Sequence, residues 1–469
     1  MVQQLQCELA VLGGGPGGYT AAFRAADLGL SVCLIEERSA LGGVCLHVGC
    51  IPSKALLHCA AVMEGAEEAE AFGLKFEPPR IEVEVLRQKI HAIVGKLSDG
   101  LDKLCQSRKI SHLAGRGVFL DANTLRVCSE EGEREVLFNN VIIATGSEPI
   151  PLPNAPDDAR LWNSTEALNL PFVPERLLIV GGGIIGLEMA QIFSALGAQI
   201  TLVEMCDQII PSADKDLVQP LMQKLKKKYR ILTGCRVSEI LARDGGLGVT
   251  FEQKNKKETG QFDAVLVAIG RKPNTGDIGL QAAGLKADAQ GFLSVDERLR
   301  TSLEHIYAIG DVTGEPMLAH KASHQGKIAA EVVAGRKAAF TPLAIPAVAY
   351  TSPEVAWIGV TERAAAEQGI EYDKGRFPWA ASGRALCAEA VAGVSKALFD
   401  RKTGRIIGAG ICGESAGELI HEALLAMEMG ADAEDISLTV HAHPTLAETF
   451  ALAAEVVHGS ITDLLPGKK

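Results

Sequence analysis

The chain has 469 residues, 47% of them hydrophobic, and at about 100–200 residues per domain it is expected to build three or four domains around separate cores. A formal net charge of −12 argues against nucleic acid as a partner, because phosphate binding needs a concentrated basic face. The eleven cysteines lie scattered apart from one close pair. They match neither a secreted disulfide framework nor a zinc pattern, and no metal site is expected.

The N-terminus, "MVQQLQCELAV", lacks the basic and apolar regions of a signal peptide, and no 18-residue apolar run is evident, so a soluble, cytoplasmic protein with no membrane segment is expected. Two segments then repeat each other. "CELAVLGGGPGGYTAAFRAADLGLSVCLIEE" (7–37) and "ERLLIVGGGIIGLEMAQIFSALGAQITLVEM" (175–205) each read as an apolar strand, a G-x-G-x-x-G turn, an alanine-rich helix ending at Gly29 or Gly197, and a second strand ending in an acid. The glycines are Gly13, Gly15 and Gly18 in the first copy and Gly181, Gly183 and Gly186 in the second. Glu36 and Glu204 each follow the first glycine of their copy by 23 positions. Glycines at this spacing allow a tight turn and close approach of a pyrophosphate to a helix N-terminus, and the acid accepts from a ribose hydroxyl. Two copies predict two bound dinucleotides.

Between the copies lies "LGGVCLHVGCIPSK" (41–54), with Cys45 and Cys50. In a regular helix that separation puts the Cα atoms about 8.7 Å apart, beyond the roughly 7 Å limit for a disulfide. Gly42, Gly43 and Gly49 permit the distortion that closure requires. The two are either ordinary buried thiols or a redox pair, and a disulfide in a reducing compartment points to catalysis rather than structure. The remaining cysteines read as small hydrophobes. Three apolar strands, "NNVIIATGS" (139–147), "DAVLVAIGR" (263–271) and "HIYAIGDV" (305–312), each end at a glycine, and the last places Asp311 beyond its carboxyl end, where ligands bind in open α/β sheets. The first two follow the two fingerprints at matching distances, so the second nucleotide unit is expected to be inserted into the first. Residues 1–147 and 277–345 form one nucleotide domain, 148–276 the inserted one, and 346–469, with strands followed by helices, a third, α+β domain. The lysine runs "KLKKK" (224–228) and "KNKKE" (254–258) read as solvated helix-end or hairpin charges.

The order of two fingerprints, a C-x-x-x-x-C pair, "AIGD" and a C-terminal "HAHPTLAE" (441–448) resembles the flavin-dependent pyridine nucleotide–disulfide oxidoreductases over essentially the whole chain. The resemblance implies an α/β fold of two Rossmann-like dinucleotide-binding domains, the second inserted in the first, plus a C-terminal dimerisation domain. The first fingerprint would hold FAD and the second NAD. The implied activity is oxidation of protein-bound dihydrolipoamide to lipoamide through a redox-active disulfide, with electrons passing by way of FAD to NAD. Cys45 would exchange with substrate, Cys50 would lie on the flavin side, and His443, oriented by Glu448, would serve as base from the other subunit of a homodimer. Lys54 and Glu188 match the family's pair beside the flavin, and Gly117, Thr145, Asp311, Ala319, Val237 and Gly270 complete the implied cofactor-binding set. The implied partner is a lipoylated acyltransferase or carrier protein of a 2-oxoacid dehydrogenase or glycine cleavage complex. No lipoyl domain precedes the first fingerprint, so the lipoyl group is expected to arrive on another protein.

His47 stands where family members commonly carry asparagine, and Val44 where many carry threonine; both bear on redox tuning. His441, His320 and His324 read as structural or supporting. A glutathione or trypanothione reductase would share the cysteines but need arginines for the NADP 2′-phosphate, where this chain has Glu204 followed by "MCDQ". A mercuric reductase would add a C-terminal cysteine pair, yet the last cysteine is Cys412. A soluble transhydrogenase would lack the redox cysteines, and a purely scaffolding subunit would not need Cys45, Cys50, His443 and Glu448 together.

Overall fold

The structure, a computed structural model, describes residues 3–130, 132–254 and 256–465. The chain divides into two units, the first made of Met1–Ala55, Glu82–Ile150 and Gly270–Thr341, the second of Leu56–Ile81, Pro151–Ile269 and Pro342–Lys469. The chain thus leaves the first unit and returns to it.

The first unit is built on a seven-stranded sheet in the order Ser111–Ala114, Val32–Glu36, Gln3–Leu12, Gly132–Ile143, Thr124–Ser129, Arg116–Phe119. Gly132–Ile143 runs parallel to Gln3–Leu12 along one side, and on its other side meets Thr124–Ser129 antiparallel and Ile306–Ala308 parallel. Successive side chains of the central strand go to opposite layers. Ala10 and Leu12 join Ile35 and Ile143, whereas Leu9 and Val11 join Leu34, Ile142 and the helix residues Ala21, Ala22 and Ala25. Burial of both faces is what a parallel sheet between two layers demands, and it explains the unbroken apolar run Leu9–Leu12 that ends the strand. Helix Pro16–Asp27 follows the first strand, with small alanines on its sheet face, and helix Ala319–Val333 follows Asp311. A ribbon of Ser147–Pro149 against Arg271–Pro273 marks the exit and return of the chain.

The second unit contains the second copy of the motif. Its five-stranded parallel sheet runs Arg230–Thr233, Gln199–Glu204, Arg176–Val180, Ala264–Val267, Leu161–Trp162, with helix Ile184–Ala195 between the motif's strands. The antiparallel strands Cys235–Arg243, Gly246–Gln253 and Lys256–Phe262 lie beside it in sequence. The C-terminal part is an antiparallel sheet of Ala347–Ala349, Glu354–Gly359, Ile406–Gly413, Val394–Asp400 and Tyr372–Pro378, covered by helices Ala416–Met429 and Glu448–His458. Lys396, almost fully buried on the strand Val394–Asp400, binds Asp214 (2.7 Å), Asp216 (2.6 Å) and Glu362 (2.8 Å) and ties this sheet to the helix Lys215–Leu225.

Two expectations change. The sequence reading saw no apolar run of 18 residues, yet the helical stretch Gly43–Phe72 is long and apolar enough to cross a membrane by length and composition, with a hydropathy of 1.3. Alanines and cysteines spaced between single polar residues raise the average without forming an uninterrupted run. The stretch breaks at Gly49 (φ −146°, ψ −114°) and carries Lys54 and Glu64, whose charges are costly in a lipid interior. The nine other cysteines are also not uniformly core residues, because Cys128, Cys206 and Cys387 are exposed. The lysine runs fall at a helix end, where Lys224 and Lys228 meet Glu64, and at a hairpin turn, of which Asn255 lies outside the described residues.

Candidate active site

Both fingerprints fold into the same cradle. Gly13 (φ +109°) and Gly181 (φ +112°) make the turn, and a Cβ on either would stand 2.2 or 2.3 Å from the carbonyl oxygen of Ala144 or Ala268. A Cβ on Gly18 or Gly186 would collide with the carbonyl of Gly13 or Gly181. The middle glycines differ. A Cβ on Gly183 would meet no other group within 4 Å, and one on Gly15 would come no nearer than 3.9 Å to Gly43 Cα. Each middle glycine is the N-cap of its helix, with no side-chain cap on the first-turn N–H groups. Uncapped donors facing open space fit a pyrophosphate, which passes the test for a dinucleotide at both positions.

The two acids have a second task that motif spacing does not reveal. Gly14 N–H donates to Glu36 Oε2 at 2.6 Å and Arg38 N–H to Oε1 at 2.9 Å. Likewise Gly182 N–H donates to Glu204 Oε2 at 2.6 Å and Cys206 N–H to Oε1 at 2.7 Å. Each carboxylate therefore locks its own glycine turn and keeps lone pairs for ribose hydroxyls. Beside Glu204 a cleft of about 250 Å³ is lined by Met205, Gly234, Cys235, Arg236, Glu252 and Lys254. Val237 follows on the same strand, paired with Phe251. Arg236 was missed by reading only the residues after Glu204; its Nε and Nη2 both donate to Glu252, at 2.9 and 2.5 Å.

The cysteines sit on two consecutive helices, Gly43–Val48 and Cys50–Glu68, broken at Gly49, where a Cβ would lie 2.8 Å from the Val44 carbonyl oxygen. The break brings the sulfurs within hydrogen-bonding reach. That hydrogen bond, and then burial, hold the Cys45 thiol far above its ordinary range, against the pull of Lys54. Burial, followed by the charges of the two sulfurs, raises Tyr19, on the helix that leaves the first cradle. His47 donates from Nε2 to the Leu41 carbonyl at 2.9 Å, since a carbonyl only accepts.

Thr145 and Asn274 clasp each other, Thr145 Oγ1 donating to the Asn274 carbonyl (2.7 Å) and Asn274 Nδ2 to the Thr145 carbonyl (3.0 Å). Asp311 follows the strand Ile306–Ala308 and accepts from Ser147 Oγ at 2.6 Å. Ser147 accepts in turn from Arg271 Nε at 2.7 Å. Ala319 opens the helix behind Asp311, Gly117 lies against Leu12 on the strand Arg116–Phe119, and Gly270 (φ +133°) precedes Arg271. These residues, with the cysteines, Lys54 and the first cradle, belong to the first unit.

Glu188, His443 and Glu448 belong to the second unit, as does the second cradle. Glu188 is buried on the helix of that cradle and accepts from Tyr350 N–H at 3.2 Å. Glu448 begins the helix Glu448–His458, accepting from Thr445 N–H (2.6 Å) with one oxygen and from His443 Nδ1 (2.9 Å) with the other. This fixes the tautomer: the proton is on Nδ1, and Nε2 is the basic nitrogen of a ring that is 79% exposed. His441, by contrast, is held between Glu422 (2.6 Å) and the Thr439 carbonyl (2.8 Å), a supporting position.

Residues 7–326 match the family model for pyridine nucleotide–disulphide oxidoreductases and residues 345–454 that for their dimerisation domain. The chain belongs to this family of flavin-dependent disulfide oxidoreductases. Within it the chain is 50% identical to the dihydrolipoyl dehydrogenase of Haemophilus influenzae over 99% of this chain and 98% of the relative. It is 42% identical to that of Geobacillus stearothermophilus over 97% of each. Among solved structures, LpdA from Mycobacterium tuberculosis superposes with a TM-score of 0.88 at 26% identity, covering 97% of this chain and 100% of that one. The HOCl-induced flavoprotein disulfide reductase RclA from Escherichia coli gives 0.86 at 26% identity, covering 97% and 100%.

Proposed function

We propose that the protein oxidises dihydrolipoamide carried on another protein and delivers the electrons to NAD, using Cys45 and Cys50 as a redox pair and His443 as base. The observation that carries this reading is the His443–Glu448 pair, whose hydrogen bond leaves a basic nitrogen on an exposed ring. The dithiol substrate loses its first proton to Nε2. Its thiolate attacks Cys45 Sγ, the Cys45–Cys50 bond breaks and Cys50 leaves as a thiolate. The second substrate sulfur then closes lipoamide and releases Cys45, which is reprotonated by the imidazolium; the second substrate proton passes to the base. Glu448 stabilises the charged ring and keeps its orientation. A flavin bound in the first cradle would supply two-electron chemistry between the dithiol and NAD. Glu36 and Glu204 would hold the ribose ends, and Lys54 and Asp311 would lie among the residues that hold the flavin.

His443 is read as acting on the cysteines of the other subunit, which suits its exposure and makes the homodimer the active form. The boundaries 1–147 with 277–345, 148–276 and 346–469 describe the parts that carry FAD, NAD and the dimer contact. The partner is a lipoylated acyltransferase or carrier protein of a 2-oxoacid dehydrogenase or glycine cleavage complex. The net charge of −12 suits a basic docking domain there. We place the protein in the cytoplasm. A visible spectrum of the purified protein, followed by anaerobic addition of dihydrolipoamide, tests the reading. A flavin spectrum gaining a long-wavelength charge-transfer band, and NADH formed on addition of NAD, are expected; a flavin-free or dithiol-inert protein would overturn it.

A further inference from the structure

The cleft beside Glu204 is bordered by a three-stranded antiparallel sheet whose register sorts its charges. Cys235, Val237 and Phe251 face the core, so Arg236 and Glu252, which alternate with them along the strands Cys235–Arg243 and Gly246–Gln253, face the other way. On that face Arg236 lies opposite Glu252 and Glu252 opposite Lys257, which sets one carboxylate between a cation on each neighbouring strand. Arg236 donates to Glu252 Oε2 from Nε (2.9 Å) and Nη2 (2.5 Å), and Lys257 Nζ stands 3.1 Å from Oε1. These bonds, that of Arg236 foremost, hold the Glu252 carboxyl below the usual carboxylate range and keep it charged at neutral pH. The array is anchored to the second cradle. Thr233 pairs with Glu204 in the parallel sheet, Gly234 N–H donates to the Cys206 carbonyl (2.7 Å) and Gln253 Nε2 to the Thr233 carbonyl (2.7 Å). The strands that carry Arg236 and Glu252 are therefore both tied to the strand end that carries Glu204, and Arg236, Glu252 and Lys254 line one cleft with Met205, the residue after Glu204.

We propose that Glu252 is a positioning residue for nucleotide choice, holding Arg236 back from the cleft so that its guanidinium does not serve a 2′-phosphate. The inference rests on the proposed function, in which the second cradle takes NAD, and it adds a second carboxylate to the repulsion exerted by Glu204. A guanidinium presents the same fork of donors to a carboxylate and to a phosphate, so the two compete for it. Glu252 already takes Nε and Nη2. A nucleotide with a free 2′-hydroxyl asks nothing of that arginine, whereas one with a 2′-phosphate has to break the pair and leave Glu252 to Lys257. The Arg236 side chain is 67% exposed and that of Glu252 19%, so the carboxylate is the fixed partner and the arginine the one able to swing on its stem. Removing the charge of Glu252 therefore releases a mobile cation into a cleft that Lys254 already lines.

The test uses the flavin-loaded enzyme with two pairs of probes that differ only by a 2′-phosphate. Adenosine 2′,5′-bisphosphate and 5′-AMP are titrated calorimetrically, and NADP and NAD are compared in steady-state assays. The quantity read is the ratio within each pair, of affinities or of kcat/KM, which a general loss of packing does not move. A single exposed ion pair changes an equilibrium constant by up to about fivefold and a phosphate carries close to two charges, so both ratios are expected to rise about three- to tenfold in Glu252→Gln. The rise is expected to vanish in the double variant Glu252→Gln with Arg236→Gln, and to weaken with added salt. Ratios that stay at wild-type values in Glu252→Gln, or a rise that survives the loss of Arg236, overturn the proposal and leave the pair to the sheet. A wild type that binds neither 5′-AMP nor NAD would instead remove the nucleotide reading of the second cradle, and the proposal with it.

Discussion

Glu448 accepts from His443 Nδ1 at 2.9 Å while its other oxygen accepts from the Thr445 N–H at 2.6 Å, so the imidazole is oriented by a carboxylate that is itself held at both oxygens. A general base typically contributes about 10²–10⁴-fold, so His443→Gln is expected to lower dihydrolipoamide turnover by that range with flavin retained. Glu448→Gln keeps the hydrogen-bonding shape but loses the charge, and a smaller loss is expected. Refolding Cys45→Ser with His443→Gln subunits should restore up to one intact site per heterodimer. Heterodimers that form and recover nothing would place the base on the cysteines of its own chain.

The order of the sulfurs is tested by spectroscopy. Cys45→Ser should leave a Cys50 thiolate able to give a charge-transfer band with oxidised flavin, and Cys50→Ser should abolish it. The reverse pattern would exchange the two roles.

Nucleotide choice follows from Glu204, whose carboxylate would face a 2′-phosphate, and from Arg236, whose guanidinium is already committed to Glu252. Steady-state assays should give a far higher kcat/KM with NAD than with NADP, and Glu204→Gln should narrow the gap. Comparable values in the wild type would sink the ribose role of Glu204.

Lys396 bridges three carboxylates inside the second unit. Removing one partner of a buried ion cluster costs about 3–5 kcal/mol, so Lys396→Met should lower denaturation midpoints sharply. In the wild type Glu362 titrates at about 2; burial opposes its charge, but the hydrogen bonds from Lys396 and Lys374 outweigh it. A depressed pKa gives stability that is present above the ordinary carboxylate value and lost as pH falls toward the folded one. Without the lysine Glu362 loses the first of those hydrogen bonds, and its pKa moves back up. The deficit of the variant should therefore shrink as pH falls from about 4.5 toward about 2. A constant deficit would argue for lost packing instead.

His441 gives the opposite sign. Burial disfavours its charged ring, but the hydrogen bond to Glu422 and then that to Thr439 prevail, and its pKa lies above the ordinary 6.5. A raised pKa contributes stability that is complete below the unfolded value and lost as pH rises through the folded one. Glu422→Gln should therefore lower the melting temperature more at about pH 6 than at about pH 8. An equal loss at both would remove charge from the account.

The sequence by itself determined the repeated strand–glycine–helix–strand units, the close cysteine pair between them and the C-terminal histidine with its acid five residues on. Each of these is encoded within a few dozen consecutive residues, by apolar periodicity, turn glycines or short fixed spacings. It also carried the two acids at the strand ends, but only half of their work, because the hydrogen bond that Glu36 accepts from Gly14 N–H depends on how two strand ends are brought side by side. Only the tertiary structure decided that Arg236 lines the cleft beside Glu204, that Lys396 meets Asp214, Asp216 and Glu362, and that Arg271 reaches Asp311 through Ser147. These groups come from strands and loops tens to hundreds of positions apart. No periodicity relates such positions, and their charges find one another only after apolar burial has fixed the strands that carry them.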